Sequence, residues 1–132
     1  MNFETTRNLI GRILISAIFI YAIPSKIINF ERTVDIISNK NISPSLAPFL
    51  LLSAIICLIF GSILFISGFK QRLGAYLLLI FIVPTTFIFH FSPFQIKAVL
   101  FNAGLIGGLV LSLDNVKGHS LKELFNNQTI KK

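Results

Sequence analysis

The chain has 132 residues, 54% of them apolar and only 13% charged, with a mean hydropathy of +0.81. Soluble domains carry roughly 25% charged residues, so this chain cannot clothe a soluble surface, and its apolar content excludes intrinsic disorder. Its net charge of +7 is spread between apolar blocks, which is a bilayer pattern and not the clustered basic face of a nucleic-acid reader.

The charges divide the chain. Residues 13–25, 41–69, 73–96 and 98–113 contain no Asp, Glu, Lys or Arg. A helix of about 20 apolar residues crosses the hydrocarbon core, and only a helix pairs all its backbone groups within the segment. The expectation is an all-α membrane protein, a four-helix transmembrane bundle in one domain over 1–132.

The first span is expected over about 9–28. Its charge-free stretch is short, so Arg12 and Lys26 fall near opposite interfaces. Pro24 is expected to kink or end it. A basic start gives this segment some likeness to a signal peptide. The lack of a small-x-small site before Pro24, and the spans that follow, favour a retained helix. Residues 29–45 then read as a loop. The second span is expected over about 46–69, with Ser43 and Pro44 ahead of it as starting residues. A short hairpin around Phe69–Arg72 leads to the third span, about 73–91, with Pro84 inside it. A turn around Phe91–Phe94 leads to the fourth, about 95–113. Residues 114–132 form a polar tail.

Four spans put both termini on one side. That side carries Arg7, Arg12, Lys70, Arg72, Lys117, Lys122, Lys131 and Lys132, and the other carries Lys26, Arg32, Lys40 and Lys97. Eight against four places both termini, and the tail, in the cytoplasm.

Arg12 and Lys26 are 14 residues apart, about 21 Å along a helix, and lie about 40° apart around its axis. One reading has this face lining the bundle and meeting anionic or carbonyl groups of a ligand. The other has two basic anchors reaching for headgroups. Lys26, Thr86, His90 and Asn102 fall at similar depths and define a candidate polar pocket on the outer side. There an imidazole would hydrogen-bond a quinone-type carbonyl or relay a proton. The competing reading makes His90 an interface residue and Asn102 an interhelical hydrogen bond. Gly61, Ser62, Gly104, Gly107 and Gly108 are helix-packing candidates, and Gly104 and Gly108 have small-xxx-small spacing. Cys57 stands alone, which excludes a disulfide framework or CxxC pair; it reads as a small buried hydrophobe. No catalytic constellation and no metal-ligand cluster is visible, and no carboxylate falls in the middle of a span.

Four segments in this order resemble the DoxX family of small four-span membrane proteins. The first is Gly11-Arg12-Ile13-Leu14 with Phe19, Ser25-Lys26-Ile27 and Asn29-Phe30. The second is Gly61-Ser62 followed by Gly68-Phe69-Lys70-Gln71-Arg72. The third is Phe89-His90, and the fourth is Asn102-Ala103-Gly104-Leu105-Ile106-Gly107-Gly108. The likeness covers roughly residues 9–113. Many members carry a glutamate about one turn before the helix-two glycines, where this chain has Cys57-Leu58. The second glycine is here Ser62.

Relatives in this family serve as subunits of thiosulfate:quinone oxidoreductase or sit in membrane redox complexes. The resemblance therefore implies a bacterial inner-membrane, multi-pass protein that is an accessory or docking subunit of a membrane redox system. The expectation is a protein that does not act as an enzyme on its own and has no intrinsic cofactor. The expected partners are the lipid bilayer, a soluble or membrane redox protein and further copies of the chain, with no nucleic acid. Two alternatives stay open: a quinone-interacting oxidoreductase component using a membrane quinone, and a small carrier or lipid-binding protein.

Overall fold

The computed structural model describes residues 3–91 and 93–114. Five helices follow in order: α1 (Phe3–Ile28), α2 (Phe30–Ser38), α3 (Ala47–Ser67), α4 (Gln71–His90) and α5 (Ile96–Asp114). Four of them, α1, α3, α4 and α5, are long and apolar enough to cross a membrane. The expected tail beyond Asp114 lies outside the described residues.

α1 starts at Phe3, ahead of Leu9, and continues through Pro24 to Ile28. Pro24 removes one amide donor without ending the helix. The expected loop at 29–45 is instead largely helical. Phe30, Val34 and Ile37 recur at helical spacing and pack with Ala47, Leu51 and Ile55 at the start of α3. Glu31, Arg32 and Asp35 stay exposed on the other side. Nine residues are too few to cross a bilayer, so α2 is an amphipathic helix lying across the end of the bundle.

α3 begins at Ala47, with a turn in which the Ser43 carbonyl accepts from the Leu46 and Ala47 amides. It ends at Gly68, which takes φ 75° as the left-handed cap. Lys70, at φ 50°, completes the reversal into α4. α3 and α4 share the most extensive helix contact in the molecule. Leu58, Phe65, Ala75, Leu78 and Ile82 are buried there, joined by Phe19 of α1 and Leu109 of α5. Two glycines permit this approach. A Cβ at Gly74 would lie 2.6 Å from the Phe65 nitrogen and 2.8 Å from the Gly61 oxygen. In lipid, close backbone packing of this kind holds helices together, because apolar burial brings no gain over the acyl chains.

The helices alternate in direction. One end of the bundle holds the start of α1, the α3–α4 turn and the end of α5. The other holds Lys26, α2, His90 and the start of α5.

Candidate functional site

A cleft of about 560 Å³ opens at the α2 end. Small-molecule sites usually occupy about 300–1,000 Å³. Its roof is α2, which contributes Thr33, Ile36 and Ile37. Its walls come from α3, including Leu51 and Cys57, and from α4, including Ile80, Phe81 and Ile88. Two basic side chains line it: Lys26 near the end of α1 and His90 at the end of α4. The lining is otherwise mainly apolar, so a polar group entering it would be held by few, specific partners.

Each of these groups is positioned by a local device. The Lys26 ammonium sits 5.7 Å from the centroid of the Phe81 ring, a cation–π distance. Phe81 is itself braced edge-on by Phe19, 6.3 Å away. The imidazole Nδ1 of His90 is 3.2 Å from the Gln95 amide oxygen. With Nδ1–H donating to that oxygen, the other ring nitrogen accepts; with the amide rotated so that its NH2 donates, the other nitrogen carries the proton. Pro84, also in the lining, has no N–H to give to the Ile80 carbonyl one turn earlier. Thr85 and Thr86 tighten the same turn, donating to the Phe81 and Ile82 carbonyls at 2.6 and 2.7 Å.

The candidate residues are distributed over three places. Lys26 and His90 share the cleft. Thr86 and Asn102 meet in the α4–α5 seam, where the Asn102 amide donates to the Thr86 hydroxyl at 3.0 Å. Arg12 lies at the far end of the bundle. Its Nε donates to the Asn8 carbonyl at 3.4 Å, and its guanidinium rests against the Gly68 backbone at the α3 cap. The cap exposes the last carbonyls of α3, the negative end of its dipole, which favours a cation there.

The packing residues also divide. Gly61 lies under Leu78, and a Cβ there would come within 3.0 Å of that side chain. Gly108 faces Ile15, whereas Gly104 and Gly107 have nothing within 4 Å of where a Cβ would be. Among the described residues the buried hydroxyls of Ser16 and Ser62 find no hydrogen-bond partner. Cys57 is half-buried and lines the cleft as a free thiol. Among the described residues no three His, Cys, Asp or Glu side chains cluster as metal ligands.

Sequence reasoning missed α2 and Gly74. The signal for α2 was the apolar spacing of Phe30, Val34 and Ile37. Gly61 lies seven residues before Gly68 and Gly74 six after it. A tight turn at Gly68 therefore sets those two glycines opposite one another.

Four apolar crossing helices capped at one end by a short amphipathic helix define a small multi-pass membrane protein. The chain belongs to the DoxX family, whose model matches residues 8–91, more than half of its length. The matched stretch takes in α1 to α4 and ends before α5. No curated protein and no solved structure matches the chain.

Proposed function

We propose that this DoxX-family protein is an accessory subunit of a bacterial inner-membrane redox system and holds a membrane quinone in the Lys26–His90 cleft. The observation that supports this most is the cleft itself: an apolar body with an ammonium and an imidazole on its lining. A quinone has the same division, a lipophilic ring with carbonyl oxygens at its edge. Such a ligand would supply two-electron, two-proton chemistry that the amino acids lack. The Lys26 ammonium would be the hydrogen-bond donor to such a ligand. His90 would hold or take a proton beside the ring, with its Nδ1 paired to the Gln95 amide. The apolar lining and the α2 roof limit water. Electrons come from a docked redox partner.

The excess of Lys and Arg on the terminal side supports cytoplasmic termini and an outward-facing cleft. This orientation has a direct check. In a Cys57→Ser background, a membrane-impermeant maleimide added outside cells should label Asn39→Cys and spare Lys70→Cys.

The ligand reading is tested on the purified full chain in neutral detergent. Short-chain ubiquinone or menaquinone analogues should raise its melting temperature. Lys26→Met and His90→Phe should each weaken the analogue about tenfold, the worth of one hydrogen bond to a charged or strongly polar group. If neither analogue shifts the melting curve, the quinone reading fails. A shift left intact in both variants would instead favour a lipid-binding groove that uses only the apolar walls.

A further inference from the structure

The opposite end of the bundle carries a second, smaller pocket of about 210 Å³. It lies between the first turns of α1, the start of α4 and the last turns of α5. Arg7, Asn8 and Arg12 line it from α1, Gln71 from α4 and Ser112 from α5. No carboxylate is among its lining residues.

The pocket is braced on two sides. Arg12 is tied to the Asn8 carbonyl and held against the Gly68 backbone. The Gln71 amide donates to the Ser112 carbonyl at 3.4 Å, linking α4 to α5. Gly11 leaves its wall open, with nothing within 4 Å of where a Cβ would be. Next to Gln71, the Arg72 Nε is buried without a hydrogen-bond partner. Among the described residues this end holds Arg7, Arg12, Lys70 and Arg72 against Glu4 and Asp114.

Two guanidinium groups therefore line a preformed hollow that also has neutral side-chain donors on its walls. Guanidinium groups match the tetrahedral oxygens of phosphate, which accept several charge-assisted bonds at once. We infer that this pocket binds a phosphate group through Arg7 and Arg12, with Asn8 and Gln71 as neutral donors. Phe65 and Ile15 form its apolar floor, and the exposed side chains of Ile10 and Leu14 flank it on α1. That setting accepts the phosphate of a lipid headgroup as well as a free phosphate ion. The site is separate from the quinone cleft and does not depend on it.

The test uses the full chain, stripped of lipid in neutral detergent, with melting temperature and native mass spectrometry as readouts. The probes are inorganic phosphate, phosphatidic acid and, as the phosphate-free control, diacylglycerol. Phosphatidic acid should stabilise the protein and stay bound, while diacylglycerol should do neither. Inorganic phosphate that stabilises and displaces the lipid would identify a free-ion site, and inorganic phosphate without effect would identify a headgroup site. Arg7→Gln, at an exposed position that folding does not need, should weaken phosphatidic acid about tenfold, and Arg12→Gln at least as much. Lys97→Gln removes the same charge at the other end and should leave binding unchanged. The inference falls if phosphatidic acid stabilises no more than diacylglycerol. It also falls if Arg7→Gln binds like the wild type, or if Lys97→Gln weakens binding as much as Arg7→Gln.

Discussion

The central hairpin and the flanking helices meet the membrane on different terms. A third of the most apolar stretch of α3 is buried (33%), and 28% of that of α4, against 11% in α1 and 11% in α5. The same residue type serves differently in the two regions. Gly61 and Gly74 let the α3 and α4 backbones touch, whereas Gly104 and Gly107 of α5 face open space. The flanking helices are tied to the hairpin more by particular polar contacts: Asn102 to Thr86, Gln71 to Ser112, Lys26 over Phe81. The hairpin is thus the scaffold: its two helices wall the Lys26–His90 cleft, and the smaller pocket lies where α1 and α5 meet its turn.

The sharpest way to break that contrast is to fill the glycine crossing. Gly74→Ala places a methyl group against the backbone nitrogen of Phe65 and the oxygen of Gly61, neither of which can rotate away. The expected loss is about 2–3 kcal/mol, the upper part of the usual overpacking range. Reversible unfolding in mixed micelles would measure it. Gly61→Ala meets the Leu78 and Leu77 side chains instead. Those can shift, so its cost should be roughly half as large. Equal costs for the two would mean that α3 and α4 move apart freely, and the scaffold role would be lost.

The seam bonds come next in size. Asn102 and Thr86 form one interhelical hydrogen bond at 3.0 Å. In membrane proteins such bonds contribute about 0.6 kcal/mol on average, because the separated helices find other partners. A double-mutant cycle with Thr86→Val and Asn102→Leu should give a coupling of that order. A coupling near zero would leave α5 held by apolar contact and the Gln71–Ser112 bond.

Much of this architecture was legible in the sequence, for a physical reason. A bilayer forces charges out of the spans, so the gaps between charges trace the crossing helices directly. The same habit of reading charges concealed α2. Its charged residues marked 29–45 as a linker, while the spacing of Phe30, Val34 and Ile37 carried the helix. The site residues were less legible than the spans. Depth along a helix brings Lys26, Thr86, His90 and Asn102 to one level, but rotation about the axis decides which seam each enters. Thr86 and His90 are neighbours on α4, yet Thr86 turns to α5 and His90 lines the cleft under α2. Small differences in helix rotation set that outcome, and the spacing of the polar residues alone does not record them.

The smallest expected effect tests the outer surface of α5. Alanine is the better helix former, and at Gly104 and Gly107 its methyl group meets nothing. Gly104→Ala and Gly107→Ala should therefore leave stability unchanged within about 0.5 kcal/mol, or raise it slightly. The result has force because the same substitution at Gly74 should cost several times as much. Small-xxx-small spacing, here Gly104 and Gly108, is shared by many membrane helices, and among the described residues nothing approaches Gly104 or Gly107. If either variant nevertheless lost more than about 1 kcal/mol, that would equal the cost of a methyl group forced into a packed contact. The contact would have to come from outside the described residues, either from the rest of the chain or from a second copy covering α5. Measuring the loss at two protein concentrations would separate that case, since only an interface between copies weakens on dilution.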